Sequence, residues 1–329
     1  MRYLKFKGLL LVIGSLLLTN SYGQQLPVYS QYMMNMFLIN PAIAGADGYT
    51  SINITAREQW LGIPDSPSTQ AASFQTRLLK KSYISRSKSI KKNRAKPSKS
   101  GKVGLGAHLF TDKNGMIRRT GAQFTYAYHI LFRESQLSFG LSAVCYQMNV
   151  DEDGFFDVTD PNDPLLLNYD RTVIIPDMNF GVFYKTKEYY LGFSTVNLFE
   201  SVFKINKSAE NNYKLLRYYY LTGGYGIVLT KDLSLIPSAL LKSPDNLLTF
   251  QMDLSAKFIY KESYWGGLSY RTSDVMIIFA GIRIENFHFG YAFDYTFNAV
   301  QTHTFGSHEF MFAVKFGSNA RRYRWLSRY

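Results

Sequence analysis

The stretch TFQMDLSAKFI, residues 249–259, alternates between two kinds of side chain. Phe250, Met252, Leu254, Ala256 and Phe258 share one face of an extended chain, and Thr249, Gln251, Asp253, Ser255 and Lys257 share the other. A period of two residues is the strand period. An apolar face opposite one bearing both an acid and a base describes a wall between hydrocarbon and water. The split recurs in FHFGYAFDY, residues 287–295, where Phe287, Phe289, Tyr291, Phe293 and Tyr295 oppose His288, Gly290, Ala292 and Asp294. In HEFMFAVKF, residues 308–316, Phe310, Phe312, Val314 and Phe316 face lipid while Glu309 and Lys315 face a lumen.

Extending this period along the chain predicts strands at 49–60, 68–79, 101–111, 120–132, 136–149, 176–185 and 189–196. It continues with strands at 217–229, 233–241, 247–260, 263–272, 274–284, 286–296 and 307–317. The fold class expected is all-β, a transmembrane antiparallel barrel of about 14 strands, an even number as single-chain barrels require. Composition agrees, since 25 Tyr and 25 Phe bring the aromatic share to 16% without any apolar run after the first residues. Aromatic girdles at two interfaces account for that, whereas composition alone also admits a soluble β-sandwich.

The chain starts with Arg2, Lys5 and Lys7 ahead of the apolar run Leu9 to Leu18, then Ser21 and Gly23. That is the layout of a secretory signal peptide, expected to be cleaved after residue 23. The domains expected are therefore a signal at 1–23, an N-terminal segment at 24–48, a barrel at 49–317 and a tail at 318–329. The single cysteine, Cys145, excludes an internal disulfide.

Loop lengths give the orientation, because periplasmic turns are short and extracellular loops longer. With the first strand starting in the periplasm, the even-to-odd connections near Arg133, Lys185, Lys231, Lys261 and Glu285 are all short. The odd-to-even ones include long loops at 150–175 and 197–216 and a moderate one from Phe297 to Gly306. One periplasmic connection breaks the rule, the basic, Ser-rich insertion at 80–100. Net charge is +13, yet residues 77–102 alone hold 11 basic groups and no acid, so the basicity is local and does not point to nucleic acid. The insertion, with Lys80, Lys81, Arg86, Lys91, Lys92 and Arg94, is either a solvated excursion or a docking segment for an acidic partner, lipid headgroups or cell-wall polymer. The tail RRYRWLSRY, with Arg321, Arg322, Arg324 and Trp325, poses the same choice.

Ahead of the first strand stands YSQYMMNMFLINPAIAG, residues 29–45, uncharged and too short for a spanning helix. Tyr32, Met33, Met36, Phe37 and Asn40 recur at helical spacing. They predict a short amphipathic helix, ended by Asn40-Pro41, that tucks into the periplasmic end of the barrel as a plug. A free periplasmic hook for a partner is the rival reading.

Several stretches together resemble the PorP/SprF family of Bacteroidota outer-membrane proteins of type IX secretion and gliding motility. The opening segment is similar to that family's N-terminal signature, with Tyr29, Ser30, Gln31 and Tyr32 leading to Asn40, Pro41 and a closing Gly45. TDKNGMIRRTGAQFTYAYHI, LGFSTVNLFE, RYYYLTGGYGIVLTKDLSLIPSALLK, AKFIYKESYWGGLSYRTSDVMIIFAGI and SHEFMFAVKF correspond in order. The insertion at 80–100 departs from the pattern. The resemblance implies a non-enzymatic barrel in outer-membrane lipid that delivers or anchors secreted adhesins carrying type B C-terminal domains. It also implies contact with periplasmic ring lipoproteins or peptidoglycan-associated proteins.

Chemistry is sparse. DEDGFFD, with Asp151, Asp153, Gly154 and Asp157, has the alternating carboxylates of a calcium loop but places Asn162 where the bidentate Glu belongs. His108 and His129 fall on wet faces of adjacent strands without a carboxylate or thiol partner, so neither a metal nor any other cofactor is expected. No nucleophile elbow or phosphate loop occurs, and no covalent chemistry is expected. Strand glycines are read as close packing or bends in the wall. Asp253, Lys257, Arg271, Arg283, Asp294, Glu309 and Lys315 all take lumen positions. They read as cross-braces of the interior, with a conducting path for small solutes as the rival. A bore below that of 16- to 18-stranded porins excludes passage of a folded adhesin.

Overall fold

The computed structural model describes residues 26–78, 102–115, 117–150, 172–203, 213–245 and 249–316. Among them, strands β1 (Thr50–Glu58), β2 (Ser68–Leu78), β3 (Val103–Asn114), β4 (Ile117–Leu131), β5 (Ser135–Val150), β6 (Thr172–Thr186) and β7 (Tyr189–Val196) form the first half of a meander. The second half is β8 (Tyr218–Tyr225), β9 (Leu233–Pro244), β10 (Gln251–Tyr260), β11 (Tyr264–Arg271), β12 (Val275–Ile284), β13 (Phe287–Thr296) and β14 (Ser307–Phe316). Each strand pairs antiparallel with the next, and β1 closes onto β14 from Thr50 opposite Phe316 to Glu58 opposite His308. The result is a closed 14-strand barrel with no free edge. Past Gly226, Ile227–Val228 continue β8 against β9.

All fourteen strands read from the two-residue period are present. Their ends differ where turn-forming residues argued for loops. β6 begins at Thr172 and runs through Pro176, whose side chain faces outward and whose missing N–H stands opposite Cys145. β3 and β4 extend to Asn114 and Ile117, leaving a hairpin connection at Gly115, which adopts φ 61°.

Most of the short connections share one end. Residues 132–134, 187–188, 229–232, 261–263 and 285–286 make tight links at one end of the barrel, the turn end. At the opposite, loop end the links at Gly115 and 272–274 are as short, while those at 59–67, 197–217 and 297–306 are longer; the stretch between Leu78 and Val103 joins two strands at the turn end. Tyr184 with Tyr189 and Tyr260 with Tyr264 line the outer rim at the turn end, and Tyr295 with Phe297 lines it at the loop end. These are the two girdles expected of a barrel in a bilayer. Between them the outward positions are apolar and open to lipid, Leu141 at mid-height among them, 45% exposed. Leu141→Arg is expected to destabilise the barrel by about 2–4 kcal/mol, and Leu78→Arg, at the turn end of β2, by about 0–1 kcal/mol. Urea unfolding in lipid vesicles distinguishes the two.

Candidate functional site

The lumen is occupied by the chain itself. Residues from Leu26 to Gly48 run inside the wall from the loop end to the turn end, where β1 begins. Tyr32, Phe37, Ala42, Ala44 and Ala46 are fully buried there. The segment is three separate 3-10 turns, Tyr32–Met34, Met36–Leu38 and Pro41–Ile43. This corrects the single amphipathic helix read from the spacing. A helix hides one stripe, but a strand-lined lumen surrounds the segment on every side and bonds its backbone directly. Ser194 Oγ donates to the Ile39 carbonyl at 2.6 Å, and Gln136 Nε2 donates to that of Ala46 at 3.3 Å. Placement at the periplasmic end alone is also corrected, since Ser30 and Gln31 reach the opposite end.

There, five charged side chains from five strands form one buried chain. Arg57 (β1) bonds Asp294 (β13) at 2.8 Å and stands 3.6 Å from Glu309 (β14). Arg271 (β11) grips Asp253 (β10) with Nε and Nη2 at 2.8–3.0 Å and stands 3.7 Å from Asp294. Three carboxylates meet two guanidinium groups, so one negative charge is left over. The N-terminal segment offsets it: the backbone N–H groups of Ser30 and Gln31 donate to the two oxygens of Glu309 at 2.6 and 2.9 Å. Ser30 Oγ accepts from Arg57 and donates to Asp294 at 2.7 Å. Ser30-Gln31 thus adds hydrogen-bond donors to a network beside which the wall also buries Lys242, close to Asp253.

Lower down, the segment meets inward-facing glycines. A Cβ on Gly104 would lie 1.9 Å from the Ala44 oxygen, one on Gly106 2.5 Å from the Phe37 ring, and one on Gly140 2.3 Å from Ala42 N. At Gly181 it would meet Asn40 Oδ1 at 2.1 Å. The wall is recessed where the segment is seated. Asn40 fixes the seat, accepting from Ala42 N at 2.9 Å and donating to the carbonyls of Val182 and Phe193 at 3.1 and 3.3 Å. Pro41 follows at the first position of the turn, where no N–H is needed. Gly45 holds φ 68°, and a Cβ there would press on the Thr76 carbonyl at 2.7 Å. Asn40→Ala leaves two wall carbonyls and one turn N–H without their partner. A loss of about 1–3 kcal/mol is expected in urea unfolding.

Of the residues singled out in the sequence, Tyr29, Ser30, Gln31, Tyr32, Met33, Phe37, Asn40 and Pro41 are buried in the lumen, with Met36 half-buried beside them and Gly45 at the turn end. Asp253, Arg271, Asp294 and Glu309 belong to the network, and Lys257 and Lys315 lie near the turn end. Arg283 is a correction. It has inward parity but sits at the last turn of the wall, exposed, donating to the carbonyls of Glu285 and Glu262, and braces nothing inside. Arg57, central to the network, is not among the residues singled out in the sequence, though its inward parity was an available signal; the strand glycines at 104, 106, 140 and 181, read as close packing or bends, prove to pack against the segment. His108 stands opposite Gln123, while His129 lies farther toward the turn end, bonded to Ser138 Oγ at 2.8 Å and the Ala44 oxygen at 3.0 Å. Among the described residues no set of three His, Cys, Asp or Glu is gathered to hold a metal. Lys80, Lys81, Arg86, Lys91, Lys92, Arg94, Arg321, Arg322, Arg324 and Trp325 lie outside the described residues, as do residues 1–23, expected as a signal peptide, and the acidic stretch at 151–157.

Solved structures similar to this chain include a variant of the TodX monoaromatic hydrocarbon channel, at 10% identity and TM-score 0.46, covering 86% of this chain and 94% of that one. A Rh. blastica porin variant matches at 7% identity and TM-score 0.31, covering 82% of this chain and 99% of that one. BamA from Haemophilus ducreyi matches at 9% identity and TM-score 0.38, covering 82% of this chain and 70% of that one. No curated protein matches. The model of the type IX secretion system membrane protein PorP/SprF matches residues 21–314, nearly the whole length. On that match the chain, a closed 14-strand barrel, belongs to the PorP/SprF family of type IX secretion system membrane proteins.

Proposed function

We propose that this protein is a closed anchor of the type IX secretion machinery in the outer membrane, working by recognition rather than by conduction or catalysis. The loop end faces outward and meets secreted adhesins through their C-terminal domains. The turn end faces the periplasm and meets ring lipoproteins or peptidoglycan-associated proteins of the machine. One observation carries this reading: the lumen is filled by residues 29–46, bonded to the wall along its full height. A porin that lets solutes diffuse freely keeps an aqueous bore.

Pull-down of the tagged barrel from its native outer membrane is expected to recover a large surface protein, a ring lipoprotein, or both. Recovery of neither overturns the proposal. Planar bilayers holding the purified barrel are expected to stay electrically quiet, and steady conductance supports a solute channel instead.

A further inference from the structure

The turn end of the lumen holds a second group of charges with the opposite balance. The wall presents Arg77 (β2), Lys185 (β6), Lys257 (β10) and Lys315 (β14), all at inward positions. Among the described residues one carboxylate faces them, Asp47 of the N-terminal segment, which accepts from Lys185 Nζ at 3.1 Å. Burial pushes the Asp47 carboxyl up, but Lys185, Lys315 and Arg77 outweigh it and hold the group below the usual carboxylate range. Lys257 is only 7% exposed, and the acceptor within its reach is the Met34 thioether at 3.9 Å, a poor substitute for oxygen. Lys315 is half-buried and has no carboxylate at bonding distance among the described residues.

Among the described residues the other acids of this end stand in the turns, each near a base: Arg133-Glu134, Lys187-Glu188, Lys231-Asp232, Lys261-Glu262 and Arg283-Glu285. Lys187 and Glu134 bridge two of these turns at 3.1 Å. Among the described residues the rim acids thus have bases beside them, and Lys257 and Lys315, which lack an acid partner, lie inside the mouth. A buried ammonium without an acceptor is costly unless an anion attends it.

We propose that the turn-end mouth is a binding site for an acidic peptide segment of a periplasmic protein, taken up beside Asp47 by Lys257 and Lys315. The proposal rests on the reading that this end faces the periplasm and meets the secretion machine there. A lipid headgroup is the poorer fit, because these lysines point into the lumen while the outer wall at this height carries Tyr184, Tyr189, Tyr260 and Tyr264.

The test uses the full chain in lipid nanodiscs and a fluorescent hexaglutamate peptide, read by anisotropy. Wild type is expected to bind saturably, and more weakly as salt rises. Lys257→Met with Lys315→Gln is expected to weaken binding about tenfold, while heat-modifiable mobility shows the barrel intact and its melting point holds or rises. Replacing residues 80–100 with a neutral linker is expected to leave peptide affinity within about twofold. Absence of saturable binding overturns the proposal. So does binding that survives the lysine changes and vanishes with the linker, or displacement by inorganic phosphate at matched charge. Because peptide and barrel are purified, failure here leaves the native pull-down to judge the secretion role separately.

Discussion

Arg57→Met is expected to destabilise the barrel by about 3–5 kcal/mol, the cost of breaking a buried ion pair from one side. Its guanidinium is the contact common to Ser30, Asp294 and Glu309. Without it, two carboxylates and a serine hydroxyl remain buried against one cation, Arg271, already engaged by Asp253. Urea unfolding followed by tryptophan fluorescence in vesicles gives the magnitude. The triple variant Arg57→Met, Asp294→Asn, Glu309→Gln is expected to recover more than half of the loss, because neutral amides ask far less of a low-dielectric interior than unpaired charges. Equal instability of single and triple variants shows instead that Arg57 acts by packing. Protease cleavage near Ser30 supplies a second readout: it is expected to rise in the single variant, since the segment's first anchor depends on Glu309 being held in place.

The alternation that made the strands legible is a property of each strand alone, visible in TFQMDLSAKFI without knowing its neighbours. Parity likewise gave the inward side of Asp253, Arg271, Asp294 and Glu309. What those groups bond to was not legible, because Arg57 and Glu309 become neighbours only when β1 closes on β14, some 250 residues away along the chain. The N-terminal segment shows the opposite failure. Its helical spacing was real but misleading, because periodicity reports which side chains hide, and within a barrel all of them do. The glycines at 104, 106, 140 and 181 had been read as bends or close packing of the wall. Their partner is the segment that the spacing had called a helix, and neither could be interpreted without the other.

Valine at Gly104 and Gly140 together is expected to expel the segment while sparing the wall. Neither glycine has positive φ, so β-branched residues suit both backbones; the nearest obstacle is the segment itself, 1.9 Å and 2.3 Å from the added Cβ atoms, and the wall group that must turn aside is the His129 ring, 2.8 Å from the Cβ on Gly104. Overpacking costs about 1–3 kcal/mol per site. Two sites together shift the seated population by about thirtyfold or more, at about 1.4 kcal/mol for each tenfold. Bilayers quiet with wild type are then expected to show steps of conductance, and protease is expected to cut between Met33 and Ile43. Deleting residues 29–46 is expected to open the lumen as well, but at a loss of several kcal/mol, because the buried Tyr32, Phe37, Ile39 and Ile43 leave with it at about 1.5–3 kcal/mol each. The comparison separates two roles that one deletion merges. If the valine variant conducts and still recovers its partners in pull-down, the segment is a seal and a brace; if it conducts and recovers none, the filled lumen holds the binding surfaces in shape.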